Sequence, residues 1–92
     1  AQELATANIR VNVLAPGAHD TPMLRHAFKS QAGDDPEKLE QVQQAYLSLI
    51  PQKRLGNPTE AAAAILWLCS DAASFVTGHT LIADGGMSSL VR

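Results

Sequence analysis

The stretch I-R-V-N-V-L-A-P-G, from Ile9 to Gly17, constrains this chain more than any other. Ile, Val and Leu dominate it, a composition that favours a pleated, half-buried strand. Arg10 and Asn12 alternate with Ile9, Val11 and Val13, and Leu14 and Ala15 then break the alternation. That pattern fits a strand over Ile9–Ala15 whose far end is covered on both faces. Pro16 has no amide to donate and Gly17 frees the backbone, so the ladder is expected to end there. A second strand-like run, His79–Ala83, ends in Asp84-Gly85-Gly86. Helical stretches lie between the two runs. Strand, helices, strand in that order predicts an α/β chain with a parallel pair joined by a right-handed crossover. Two parallel strands alone do not make a stable sheet, so further strands are expected to flank them. In open α/β sheets the carboxyl ends of the strands are where ligands bind.

Three helix starts can be read between the strands. Thr21-Pro22 offers an N-cap followed by proline at the first helical position, and Met23, Leu24, Ala27 and Phe28 then share one side. Q-A-G-D-D interrupts this helix, and Asp34 or Asp35 caps the next, with Pro36 in its first turn. Leu39, Val42, Tyr46 and Leu49 follow as one apolar stripe, closed by Pro51. The third start is the clearest. Asn57 caps, Pro58 stands first, and Glu60 can reach back to the cap amide. Between Ala61 and Cys69 almost nothing is polar, so this helix, 57–70, is expected to be buried on most sides, against the sheet and against a second subunit. At the front, A-Q-E-L-A-T-A reads as the last turns of a helix and Asn8 as its left-handed cap. With no initiator Met, that opening suggests a truncated or partial chain.

Composition narrows the function classes. Ninety-two residues make at most one small domain, and 46% hydrophobic content excludes a disordered polar tail. A net charge of -2 without a basic cluster argues against a nucleic-acid partner. The single cysteine, Cys69, forms no internal disulfide, which fits a reducing compartment, and no charged neighbour marks it as a nucleophile. No apolar run reaches membrane-spanning length, so a cytoplasmic protein without membrane contact is the default expectation.

Taken in order, I-R-V-N-V-L-A-P-G-x-x-x-T, R-L-G-N-P-T-E and T-G-H-T-L-I-A-D-G-G resemble the carboxyl-terminal part of the short-chain dehydrogenase/reductase family, over nearly the whole chain. The resemblance implies the last portion of a doubly wound, parallel, Rossmann-type sheet, with residues 1–92 as one piece of a single domain. It implies an oxidoreductase that passes hydride between NAD or NADP and a carbonyl or alcohol substrate, the cofactor doing the redox chemistry. The family's Gly-rich dinucleotide turn and its Tyr-x-x-x-Lys pair are absent from this sequence, where Tyr46 is followed by L-S-L. No catalytic residue is therefore assigned, and the segment alone is expected to be inactive. No metal ligands are assigned either.

Thr21 is the first candidate for a cofactor contact, since a hydroxyl can serve the carboxamide or the adjoining phosphate. Its simpler role is to cap the helix at Pro22, and the two are compatible. Pro16 and Gly17 would shape the wall beneath the nicotinamide ring, or merely end the strand. His19 departs from the family, which usually has Val or Ile there. Backbone groups of that residue serve the carboxamide in relatives, while its side chain reads as a solvent-facing loop histidine or, near the nicotinamide ring, as a contact to substrate. Asp20 reads as solvated. Residues 22–50 resemble a mobile substrate lid, with Met23, Leu24 and Phe28 as candidate pocket residues. The Arg54 to Glu60 run reads as structural, and Asp84-Gly85-Gly86 as a tight turn near a subunit interface. A homo-oligomer through the 57–70 helix and the last strand is expected. The rival reading is a catalytically empty, self-associating α/β module that acts in assembly.

Overall fold

The computed structural model describes residues 1–89, so residues 90–92 of the expected 1–92 unit lie outside the described residues. The order is α1 (Gln2–Ala5), β1 (Val13–Pro16), α2 (Pro22–Ala32), α3 (Pro36–Leu47), α4 (Pro58–Cys69), a 3-10 turn (Asp71–Ala73), β2 (Thr80–Ala83) and a last 3-10 turn (Met87–Ser89). β1 and β2 form a two-stranded parallel sheet in the register Val13↔Thr80 to Pro16↔Ala83. The α/β class and the parallel pair are as expected.

β1 is shorter than the Ile9–Ala15 run. Side chains intercept the ladder ahead of Val13. The Thr77 hydroxyl accepts the Val11 amide at 3.2 Å, and the Asn12 side-chain oxygen accepts the His79 amide at 3.0 Å. β2 accordingly starts at Thr80 rather than His79. At the other end Pro16 belongs to the ladder instead of ending it. The amides of Val13 and Gly17 face β2, donating to His79 and Ala83 at 2.9 and 2.8 Å. Pro16 lies between these donors, so its missing amide falls on the opposite edge, where this sheet has no partner. Nor is β1 covered on both faces: Val13 and Pro16 are exposed and Leu14 and Ala15 half-buried.

The caps are where the sequence put them. The Thr21 hydroxyl accepts the Leu24 amide at 3.3 Å, the Asp35 carboxylate accepts that of Glu37 at 3.0 Å, and Asn57 and Glu60 complete a capping box. Asn8 has φ 61° after α1. α3 stops at Leu47, two residues short of Leu49, which is exposed and outside the helix. The turn that ends it needs no proline: Leu49 and Ile50 donate back to the Tyr46 and Leu47 carbonyls.

Burial is split among three places. Phe28 and Ala32 lie inside the α2–α3 hairpin, Ile50 beneath the sheet end, and Leu68 and Ala73 where α4 meets its 3-10 turn. The Cα radius of gyration is 17.1 Å, against roughly 12 Å for a compact domain of this length. The described residues thus build satellite clusters instead of one centre. α4 shows this most clearly. Only Leu68 is buried, while Ile65, Leu66 and Trp67 are 47%, 71% and 45% exposed. The burial expected of 57–70 is therefore absent within the chain itself.

Arg10 holds this arrangement together. Its guanidinium donates to the carbonyls of Leu68 at 2.7 Å, Val76 at 3.1 Å and Ser70 at 3.2 Å. Those carbonyls end α4 and the loop after it. A cation there satisfies acceptors that the helix leaves open.

Candidate functional site

The carboxyl ends of β1 and β2 meet in a junction made almost wholly of main chain. Gly17 donates to Ala83, and a Cβ on Gly17 would stand 2.5 Å from Asp84 Cβ and 2.7 Å from Asp84 Cα. Only glycine fits this approach. The neighbouring turn is thus by itself a sufficient reason for glycine at position 17. The Asp84 carboxylate accepts the amides of Gly86 at 3.0 Å and Ser88 at 2.8 Å. Side-chain and then amide bonding from Ser88 lowers its pKa below the ordinary carboxylate value. Beneath the turn, Ile50 is fully buried with its Cγ2 against Gly85, and Gln52 donates to the Gly85 carbonyl at 3.1 Å.

Beyond Gly17 the chain forms a single parallel bridge, His19 to Gly56. Gly56 donates to the Ala18 carbonyl at 2.9 Å and accepts from Asp20 at 2.8 Å. A bridge of this kind uses the residues on either side of His19. The amide and carbonyl of His19 itself point to the opposite edge, and neither has a hydrogen-bond partner among the described residues. Two residues on, Thr21 Oγ1 spends a lone pair on Leu24, which leaves its proton free to donate. An outward amide, an outward carbonyl and a hydroxyl thus stand within three residues at the strand end. Such a set suits a planar group carrying both an acceptor and a donor, as a primary carboxamide does.

The His19 side chain is not a solvent-facing loop group. Its Nδ1 lies 2.9 Å from the Gly17 carbonyl, and the ring rests on Gly56, where a Cβ would be 2.7 Å from Cδ2 and Nε2. It lines a cleft of about 530 Å³ with Arg54, Glu60, Asp84 and Ser88. Glu60 pairs with Arg54 at 2.7 and 3.0 Å and accepts the Asn57 amide at 2.9 Å. The Arg54 bond first, and the Asn57 amide second, bring its pKa down to about 2. Asp20, read from sequence as merely solvated, holds Arg25 through two bonds of 2.6 and 2.7 Å. That contact lowers the Asp20 pKa and raises that of Arg25.

The three residues expected to line a substrate pocket part company. Phe28 is buried in the hairpin, edge-to-face with Tyr46 at 5.4 Å between ring centroids. Leu24 is half-buried, and Met23 is 82% exposed. Phe28 also lines a separate cleft of about 570 Å³ with Leu39 and Leu47, between α2 and α3. Of the four cofactor candidates, Pro16, Gly17, His19 and Thr21 do fall on one continuous strand end. Among the described residues no cluster of His, Cys, Asp or Glu could hold a metal, and no helix is long and apolar enough to cross a membrane.

A family model described as enoyl-(acyl carrier protein) reductase matches residues 1–88. A 2,5-dichloro-2,5-cyclohexadiene-1,4-diol dehydrogenase of Sphingobium indicum is 49% identical over 83 residues, which are 89% of this chain and 30% of that protein. The chain belongs to the short-chain dehydrogenase/reductase family. The solved structure of a short-chain dehydrogenase family protein from Francisella tularensis superposes with a TM-score of 0.89 at 31% identity, over 98% of this chain and 37% of that one. An NADPH-dependent reductase involved in bacilysin biosynthesis superposes at 0.84 with 32% identity, over 98% of this chain and 34% of that one. This short-chain dehydrogenase/reductase segment spans about 30% of the length of the curated relatives it matches. Its sheet is the corresponding part of their Rossmann-type fold.

Sequence reasoning missed the Gly17–Asp84 contact, the Arg10 clamp and the seat of the His19 ring. All three join residues far apart in the chain. The Asp20–Arg25 pair had a local signal, since an acid just before an N-cap faces the first turn of its helix.

Proposed function

We propose that this segment forms one wall of the nicotinamide site of an NAD- or NADP-dependent oxidoreductase acting on a carbonyl or alcohol. The outward amide and carbonyl of His19, next to Thr21 Oγ1 at the carboxyl end of the parallel strands, carry this reading. The cofactor supplies the hydride chemistry when bound. The residues present bind and orient: His19 main chain takes the carboxamide, and the Thr21 hydroxyl donates to the carboxamide oxygen or the adjoining phosphate. Pro16 and Gly17 hold that edge in place through their ladder with Ala83. The α2–α3 hairpin is the substrate lid. Phe28 serves as its internal anchor, and Met23, with its side chain free, is the residue offered to substrate. Relatives named as a dehydrogenase and as an NADPH-dependent reductase support the same class.

Titration with NADH and NADPH, followed by amide resonances, tests this. The expected result is weak binding with the largest shifts at His19 and Thr21, reduced by Thr21→Ala. Shifts centred on another surface, with His19 and Thr21 unmoved, would count against it.

The exposed apolar side chains of Ile65, Leu66 and Trp67, spread around α4, favour a second role for the same segment, as a self-association surface. Trp67→Lys is expected to lower the sedimentation coefficient of the assembled protein. An unchanged value would remove that role.

A further inference from the structure

We infer that the His19 imidazole is a positioning residue for its own main chain: it locks the outward amide and carbonyl in place as the Nδ1–H tautomer. This rests on the cofactor reading above for its purpose, but not for its geometry. The Gly17 carbonyl accepts, so the nitrogen 2.9 Å away must be the donor, and Nδ1 carries the proton. The Cδ2–Nε2 edge of the ring also packs against Gly56, so closely that a side chain there would have to push the ring aside. Gly56 in turn binds Ala18 and Asp20 on either side of His19. Residue 19 is thus fixed from three directions: through its ring to residue 17, and through residues 18 and 20 to Gly56. Residue 17 is itself pinned by Ala83 and Asp84. An aliphatic side chain at this position would have no N–H to give the Gly17 carbonyl.

The test uses the whole assembled protein that carries this segment. Ring nitrogen shifts of His19 in the wild-type protein are expected to show the proton of the neutral ring on Nδ1. A neutral ring protonated at Nε2 would overturn the inference without any variant. Amide exchange at Asp20 and Gly56 is expected to quicken about tenfold in His19→Val, the effect of losing about one net hydrogen bond. His19→Asn, whose side-chain amide donates from nearly the same place as Nδ1, should restore slow exchange. Equal exchange in wild type and His19→Val, or no rescue by Asn, would also overturn it. Normal tautomer and exchange results without any nicotinamide-induced shift at His19 would sink the cofactor reading alone and leave the positioning role standing.

Discussion

The strand-end junction and the α2–α3 hairpin are held by opposite means. In the junction, main chain meets main chain: Gly17 with Ala83 and Asp84, Gly56 with Ala18 and Asp20, Gln52 with Gly85. In the hairpin, two helices join through side chains, chiefly Phe28, Ala32 and Tyr46. Backbone contacts have few alternative geometries, so the junction suits a wall whose atoms must stay in register. Side-chain interiors can loosen or shift as a unit, so the hairpin suits a cover that admits and releases a ligand. The hairpin joins the rest at two points, residues 18–20 and 49–56, and both points are parts of the junction.

Substitutions can break this contrast. Gly17→Ala should have the largest effect, at least about 3 kcal/mol, the upper end for an overpacked site, because the colliding Asp84 Cβ and Cα cannot rotate away. Denaturant unfolding should show the loss, with β1 and β2 amides losing protection together. Phe28→Ala should cost about 3 kcal/mol, the lower end for a buried phenylalanine. Its signature is local: faster exchange in Pro22–Ala32 and Pro36–Leu47 with the junction amides unchanged. If the junction loosened equally, the two regions would be one cooperative unit and the contrast would fail. Arg10→Met should cost about 2 kcal/mol through the three carbonyls it abandons, read as fraying at Cys69 and Ser70.

The smallest effect is a pH dependence. Glu60 has its folded pKa depressed from 4.5 to about 2. A depressed carboxyl contributes stability above its unfolded value and loses it as pH falls through the folded one. A decline in melting temperature is therefore expected between about pH 4.5 and 2. Glu60→Gln should flatten that decline, and an identical acid limb in the variant would show that the Arg54–Glu60 pair contributes nothing.

What could be read in advance was local. Thr21-Pro22, Asp35-Pro36 and Asn57-Pro58 with Glu60 each placed a helix start, because a cap acts within three residues of itself. Pro16, Gly17, His19 and Thr21 stand together at one strand end because their order along an extended segment is also their order in space. What escaped was set by long separations. Arg10 reaches carbonyls 58 to 66 residues away, and nothing near it says so. The seat of His19 depends on Gly56, and the need for Gly17 depends on Asp84. The strand limits moved because Asn12 and Thr77 offered side chains where main-chain partners were expected.

The contact between Gly17 and Asp84 makes two distant stretches of sequence a single heritable part. Anyone grafting the P-G-A-H-D-T loop onto another scaffold must transplant the D-G-G turn with it, in the same register. Without its counterpart Gly17 would lose the surface it rests on, and recombination that separates the two stretches would leave the loop held from the Gly56 side alone.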